Sequence, residues 1–228
     1  MTVIVESLEP IALVGAGSLT KADVIEAQTF ASRVVAADGG AAHCLAFGLL
    51  PEAVIGDFDS IPKAVLAEIP ADRLFQVSEQ ETTDFDKALR SVTAPLTIGI
   101  GFGGARVDHF LAALNSLVRA ANTRCVLLGG EDVIFVCPPE LQLELEADTR
   151  VSLFPMADIT GRSTGLEWPL DGLRLSPSGR AGTSNTATGP VHLSFDNPGM
   201  LVILPRACLS EAVRALQASD ARWPALGA

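Results

Sequence analysis

Positive charge is what this chain has least of for its size: 16 Lys and Arg stand against 27 Asp and Glu over 228 residues, a net charge of −11. Nucleic acids and anionic membrane surfaces need a basic footprint, so neither is an expected partner. The same deficit means that an anionic nucleotide must arrive with metal ions or meet locally placed basic groups. Cysteine is sparse too. Cys44, Cys125, Cys137 and Cys208 lie far apart, mostly in apolar runs, and form no C-x-x-C pair. That pattern implies no disulfide framework, and buried free thiols in a reducing cytosol account for it. Positions 1–14 lack the basic start and long apolar core of a signal peptide, and no apolar run approaches the roughly 18 residues of a membrane span. A cytoplasmic protein is expected. No internal repeat or low-complexity tract is present, and the length suits one large domain or two small ones.

What the chain has is alternation. Short apolar runs at 11–14, 33–37, 53–55, 74–77, 96–100, 124–128 and 133–136 read as strands, with helical patterns at 21–30, 41–47, 83–91 and 108–122 between them. Gly48 and Pro51 close the second of those helices. This order predicts an α/β fold, a parallel sheet with helices on both faces. After Pro138-Pro139 the period becomes two: Leu141, Leu143 and Leu145 alternate with Gln142, Glu144 and Glu146, and strand candidates follow at 151–154, 191–195 and 201–204. Turns rich in Gly, Pro, Ser and Asn separate them. The expected organisation is an α/β domain over 1–139 and a small all-β domain over 140–228, closed by a helix near 209–216.

The most informative stretch is Val54-Ile55-Gly56-Asp57-Phe58-Asp59-Ser60. If extended geometry persists through Phe58, Asp57 and Asp59 point to the same face. Two close carboxylates repel unless a cation lies between them, and hard oxygen ligands suit magnesium held together with a substrate phosphate. The ordinary alternative makes Gly56 a turn, with Asp59 or Ser60 capping a helix whose first turn holds Pro62. Asp38, Asp57, Asp59, Asp84 and Asp108 all fall at strand-to-helix junctions, where open α/β sheets collect ligands. Asp84 is either a complement to its helix dipole or a third metal ligand. Thr83 and Asp86 suit a capping box. Gly101 through Gly104, followed by Arg106 and a helix start, form a possible phosphate cradle, although the glycines match neither the P-loop nor the dinucleotide fingerprint. Asp108 reads equally as an N-cap, and His109 as a residue that positions the loop. In the β half, Trp168 suits either a core or an exposed surface beside Ser184 and Asn185 on which a flat heteroaromatic ring stacks.

Taken in order, Ala37-Asp38-Gly39-Gly40-Ala41, Ile55 through Ser60, Thr83-Asp84 with Lys87-Ala88-Leu89, Gly104 through His109, Gly165-Leu166 with Trp168-Pro169-Leu170, and Ser184-Asn185 resemble the thiamine pyrophosphokinase family. The resemblance spans both halves. It implies an α/β catalytic domain, a β-sandwich thiamine-binding domain, a homodimer with shared active sites, and pyrophosphoryl transfer from ATP to thiamine. It further implies that Asp57, Asp59 and Asp84 hold Mg2+, and that Asp38, Gly39, Gly104, Arg106 and His109 line the ATP site. Asp108 would receive the hydroxyl proton, and Trp168, Ser184 and Asn185 would belong to the thiamine pocket. Two positions depart from the family pattern: Ala105 replaces the second glycine before the arginine, and Glu81 replaces an aspartate ahead of Thr82. The rival readings are a pyrophosphokinase for another hydroxymethyl heterocycle such as a pterin, and a non-catalytic thiamine or nucleotide sensor.

Overall fold

Runs such as Ile11-Ala12-Leu13-Val14 offer no polar face to water, which suits a strand covered on both sides. A computed structural model describes residues 3–104 and 106–225, so Ala105 lies outside the described residues. The chain divides into two compact units, Met1–Ser116 with Leu127–Gly129, and Leu117–Val126 with Gly130–Ala228.

The first unit runs β1 (Val5–Glu6), β2 (Ile11–Val14), α1 (Lys21–Gln28), β3 (Arg33–Ala37), α2 (Gly40–Ala46), β4 (Ala53–Gly56), α3 (Lys63–Glu68), β5 (Leu74–Gln76), α4 (Asp84–Arg90), β6 (Val92–Thr93), β7 (Thr97–Ile100), α5 (Val107–Arg119) and β8 (Cys125–Gly129). The last turn of α5 and the start of β8 are counted with the second unit. Its sheet has the order β8-β7-β2-β3-β4-β5, and the pairs β7–β2, β2–β3, β3–β4 and β4–β5 are parallel. Leu13 stands opposite Val35 on one side and Gly99 on the other. All residues of β2, β4 and β7 are buried. β1 and β6 form a separate parallel pair.

In the second unit, β9 (Asp132–Val136), β10 (Glu140–Leu143), β11 (Arg150–Pro155), β12 (Ile159–Leu166), β13 (Arg174–Leu175), β14 (Thr183–Phe195) and β15 (Met200–Pro205) precede α6 (Leu209–Ala218). Their pairings are antiparallel. β14 serves three partners: its first residues pair with β11, and its later ones with β10 and β12. Leu141, Leu143 and Leu145 are buried and the alternate Gln142, Glu144 and Glu146 exposed, so the period-two pattern orients this segment as expected. β9 belongs to this unit because it pairs with β15 along its whole length.

The strands and helices foreseen from periodicity are present, most with ends shifted by a residue or two, but β14 begins at Thr183 where a strand was expected from 191, and α5 ends at Arg119 where the pattern ran to 122. Those without an expectation are β1, β6 and β13, too short to carry a period; α3, which buries no residue; and β12, which glycines interrupt at Gly161 and Gly165. No helix among the described residues is long and apolar enough to cross a membrane.

Candidate active site

The strand order decides where a ligand can sit. β3, β4 and β5 lie to one side of β2 while β7 lies to the other, so the loops leaving β2 and β7 diverge and open a crevice at the carboxyl ends of the strands. The crevice is a cavity of about 760 Å³. Its floor is made of two glycine loops joined by backbone hydrogen bonds, Gly17 N–H to Gly101 O at 2.6 Å and Ser18 N–H to Gly103 O at 2.9 Å. A Cβ on Gly17 would lie 2.4 Å from Gly103 O, so this close approach requires glycine.

Asp57 and Asp59 meet at the rim, but not by strand alternation. β4 stops at Gly56, and Phe58 takes a left-handed backbone with φ 69°. A buried partner fixes this turn: Oδ1 of Asp38, at the end of β3, accepts the Phe58 N–H at 2.8 Å. Asp57 Oδ1 then accepts the Asp59 N–H at 3.3 Å. Asp38, Asp57 and Asp59 each place one carboxylate oxygen within 4.8 Å of the others. The helix-cap alternative fails for both candidates, because α3 begins after Pro62 with no side-chain cap. Burial first, and then the nearby Asp84 and Asp57 charges, push the Asp38 carboxyl up, against the opposing Phe58 hydrogen bond. Burial also raises Asp57, but the Asp59 N–H and Lys87 outweigh it, and its pKa is lowered. Three converging hard oxygens, one from a buried carboxyl destabilised by its neighbours, suit a magnesium ion.

Asp84 is in the cavity but outside this trio. Thr83 caps α4, its Oγ1 accepting the Asp86 N–H at 3.2 Å, a cap worth roughly 1 kcal/mol. Asp86 faces Arg90 at 3.4 Å. The Asp84 carboxylate takes a hydrogen bond from Lys87 Nζ at 3.1 Å, and the same ammonium reaches Asp57 Oδ2 at 3.2 Å. Burial lowers the Lys87 pKa, yet Asp84 and Asp57 more than restore it, so the group stays charged. Gln80 Nε2 adds a further bond to Asp57 Oδ2 at 3.2 Å. Sequence reasoning placed Lys87 only as part of a helix motif; its i, i+3 spacing from Asp84, in a run of otherwise buried positions, was the available signal.

Gly39, Arg106 and His109 line the same cavity. Gly104 is exposed at the end of the β7 loop, its backbone at φ 122°. Arg106 and Asp108 are exposed and paired, with Arg106 Nε and Nη2 3.2 and 2.6 Å from the Asp108 oxygens. That hydrogen bond lowers the Asp108 carboxyl to about 2. Glu81 is exposed, and its N–H donates to Glu79.

In the second unit Trp168 is 55% exposed, which excludes the core reading. Ser184 is exposed, but Asn185 is buried. Asn185 Oδ1 accepts the N–H groups of Trp168 and Thr186, and its Nδ2 donates to Trp168 O at 2.7 Å. Its amide is thereby committed to backbone. Asn185 therefore holds the Trp168 segment in place, and truncating it leaves backbone groups unpaired at about 1–3 kcal/mol. The strand before Trp168 bends at a bulge between Thr164 and Leu166, where Gly165 has φ 77° and a Cβ would meet Pro190 O at 2.0 Å.

Residues 26–128 match the profile of a family described as thiamin pyrophosphokinase, catalytic domain, and residues 140–200 match thiamin pyrophosphokinase, vitamin B1 binding domain. Over 154 residues the chain is 29% identical to thiamine pyrophosphokinase 1 of Oryza sativa subsp. japonica, covering 59% of this chain and 58% of that protein. It therefore spans less than two thirds of that relative's length. Thiamine pyrophosphokinase of Bacillus subtilis is 30% identical over 155 residues, covering 62% of this chain and 72% of the other. The structure of thiamin pyrophosphokinase from Candida albicans shares the fold, with TM-score 0.73 at 16% identity over 88% of this chain and 92% of that one.

Proposed function

We propose that the chain, which belongs to the thiamin pyrophosphokinase family, transfers the pyrophosphoryl group of ATP to the hydroxyl of thiamine, giving thiamine diphosphate and AMP. The observation that carries this reading is the convergence of Asp38, Asp57 and Asp59 in a cavity that Arg106 and two glycine loops also line. The relatives reported above are all named for thiamine, which leaves the pterin and sensor readings without support.

In this reading the first unit handles phosphate. Asp57, Asp59 and Asp84 hold Mg2+, with Asp38 converging on the same site; when bound, the ion neutralises charge on the triphosphate oxygens. Gly39, Gly104, Arg106 and His109 bind the nucleotide, the guanidinium matching phosphate oxygens in pairs. The thiamine oxygen attacks the β-phosphorus, the bond from that phosphorus to the α–β bridging oxygen breaks, and AMP leaves with that oxygen. Such a transfer asks for positioning and charge stabilisation more than for a strong base. Asp108 takes the hydroxyl proton. A phosphate that draws Arg106 away removes the hydrogen bond that holds this carboxyl near 2, and its basicity then rises.

The second unit, in this proposal, is the β-sandwich that binds the vitamin, with residues 1–139 and 140–228 as the two functional domains. Trp168 stacks on a thiamine ring, Ser184 contributes a hydroxyl, and Asn185 fixes the tryptophan. A homodimer with shared active sites completes the assembly. The test is product identity: purified protein given thiamine, ATP and magnesium releases AMP together with thiamine diphosphate. Release of ADP with thiamine monophosphate would sink the mechanism.

A further inference from the structure

Phe102 lines the crevice, and the phosphate chemistry leaves it without a role. Its ring is half-buried, and the backbone on both sides is pared to glycine to admit it. A Cβ on Gly15, just after β2, would lie 2.6 Å from Cδ1 and Cε1 of Phe102. One on Gly99, inside β7, would lie 3.4 and 3.6 Å from Cδ2 and Cε2. Phe85, itself buried, backs the ring at a centroid distance of 4.3 Å with the planes 46° apart. Both edges and a supporting aromatic thus fix the ring in place before any ligand binds.

We propose that Phe102 is the platform on which the nucleobase of the donor nucleotide stacks. This rests on the reading of the crevice as the ATP site. The crevice presents two kinds of surface, the charged groups of Asp57, Asp59, Asp84 and Arg106 and the apolar ones of Phe102, Ala112 and Ala113. A nucleoside triphosphate has the same two parts, a chain of phosphates and a flat ring. The volume of about 760 Å³ falls within the roughly 300–1,000 Å³ of small-molecule sites, so the first unit has room for the whole donor. Phe85 links the two surfaces, because it follows Asp84 in the first turn of α4 and supports Phe102 from there. A ring already fixed loses little freedom when a base stacks on it, which favours affinity. Every base has a π face, so the platform strengthens the hold on the donor without reading a base edge.

The experiment is titration calorimetry on the full chain with Mg2+ and without thiamine, so that it reads binding and not transfer. The two probes are ATP and inorganic triphosphate, which carries the phosphates without a base. Phe102→Ala should bind ATP roughly tenfold more weakly than the wild type, the scale of a lost base–aromatic stack. Its affinity for inorganic triphosphate should equal that of the wild type. Unchanged ATP affinity overturns the proposal. An equal loss for both probes shows that the ring only shapes the phosphate loops, and overturns it too. If Phe102→Ala does not fold, Phe102→Leu decides with the same two probes, since it keeps apolar bulk and removes the aromatic face: a loss confined to ATP supports the platform, and any other pattern overturns it. In steady-state assays of the folded variant the ATP KM should rise and the thiamine KM stay unchanged. A rise in the thiamine KM alone would give the ring to the acceptor and overturn the assignment. Wild-type product identity is independent of these measurements: release of ADP sinks the pyrophosphoryl reading and leaves the binding result standing, while failure of the binding result leaves the AMP assay untouched.

Discussion

Asp57 shows how much a single carboxylate can be asked to do. It accepts from the Asp59 N–H, Gln80 and Lys87, and still offers an oxygen to the Asp38 and Asp59 cluster. Replacing it with asparagine keeps the shape and removes the charge. Asp57→Asn should lower turnover about a hundredfold or more, the scale expected when a charge-stabilising group is lost from an active site. Its melting temperature should stay close to that of the wild type, because the residue is only half-buried and Lys87 keeps Asp84 as a partner. Steady-state assays beside thermal unfolding check both halves. Normal turnover in a folded Asp57→Asn protein would remove Asp57 from the metal site.

The segment between β5 and α4 has no apolar period and no regular structure, yet it delivers Gln80 and Thr83 to the cavity. Glu79 organises it. Its carboxylate accepts from the N–H groups of Glu81 and Thr82 at 2.9 and 3.2 Å, and also bonds the Thr82 hydroxyl and Arg90. The Thr82 hydrogen bond, followed by the Glu81 N–H and Arg90, lowers the Glu79 pKa from 4.5 to about 2. A carboxyl whose pKa falls on folding adds stability above its unfolded value and loses it as the pH drops toward the folded one. The melting temperature of the wild type should therefore exceed that of Glu79→Gln above about pH 4.5 and converge on it as pH approaches 2. A gap that stays constant over that range would show that Glu79 does not act through its charge. Periodicity could not reveal this loop, because its order comes from one side chain bonding to its neighbours' backbone.

At the scale of the whole molecule, the proposed function gives phosphate chemistry and thiamine-ring recognition to different units, and the two tryptophans of the second one are in different settings. Trp223 is buried with its Nε1–H on Cys137 O at 2.8 Å, while Trp168 is exposed. Thiamine should therefore change the fluorescence of the wild type through Trp168 alone. Trp168→Phe should lose that change. Trp168→Ala should raise the thiamine KM roughly tenfold, the worth of an aromatic stack, with the ATP KM unchanged. A full response in Trp168→Phe removes Trp168 from the pocket. Much of this molecule was legible in the chain itself. Fully buried strands such as β2 and β7, the period-two run of Leu141, Leu143 and Leu145, and acidic residues at strand ends are local patterns, and local patterns survive in one dimension. The pairings were not. Asp38 and Phe58 meet across two strands, Lys87 joins α4 to the β4 loop, and Asn185 closes on Trp168 from 17 residues away. Extended alternation at Asp57 and Asp59 was the natural expectation, and the Asp38 hydrogen bond replaced it with a left-handed turn at Phe58. The sequence by itself determined the elements and the kind of chemistry, because propensity, pattern and charge are properties of neighbours. Only the tertiary structure decided which carboxylates converge, which two Lys87 joins, and which polar side chain serves the backbone, because those depend on contacts that the parallel sheet and its crossovers create.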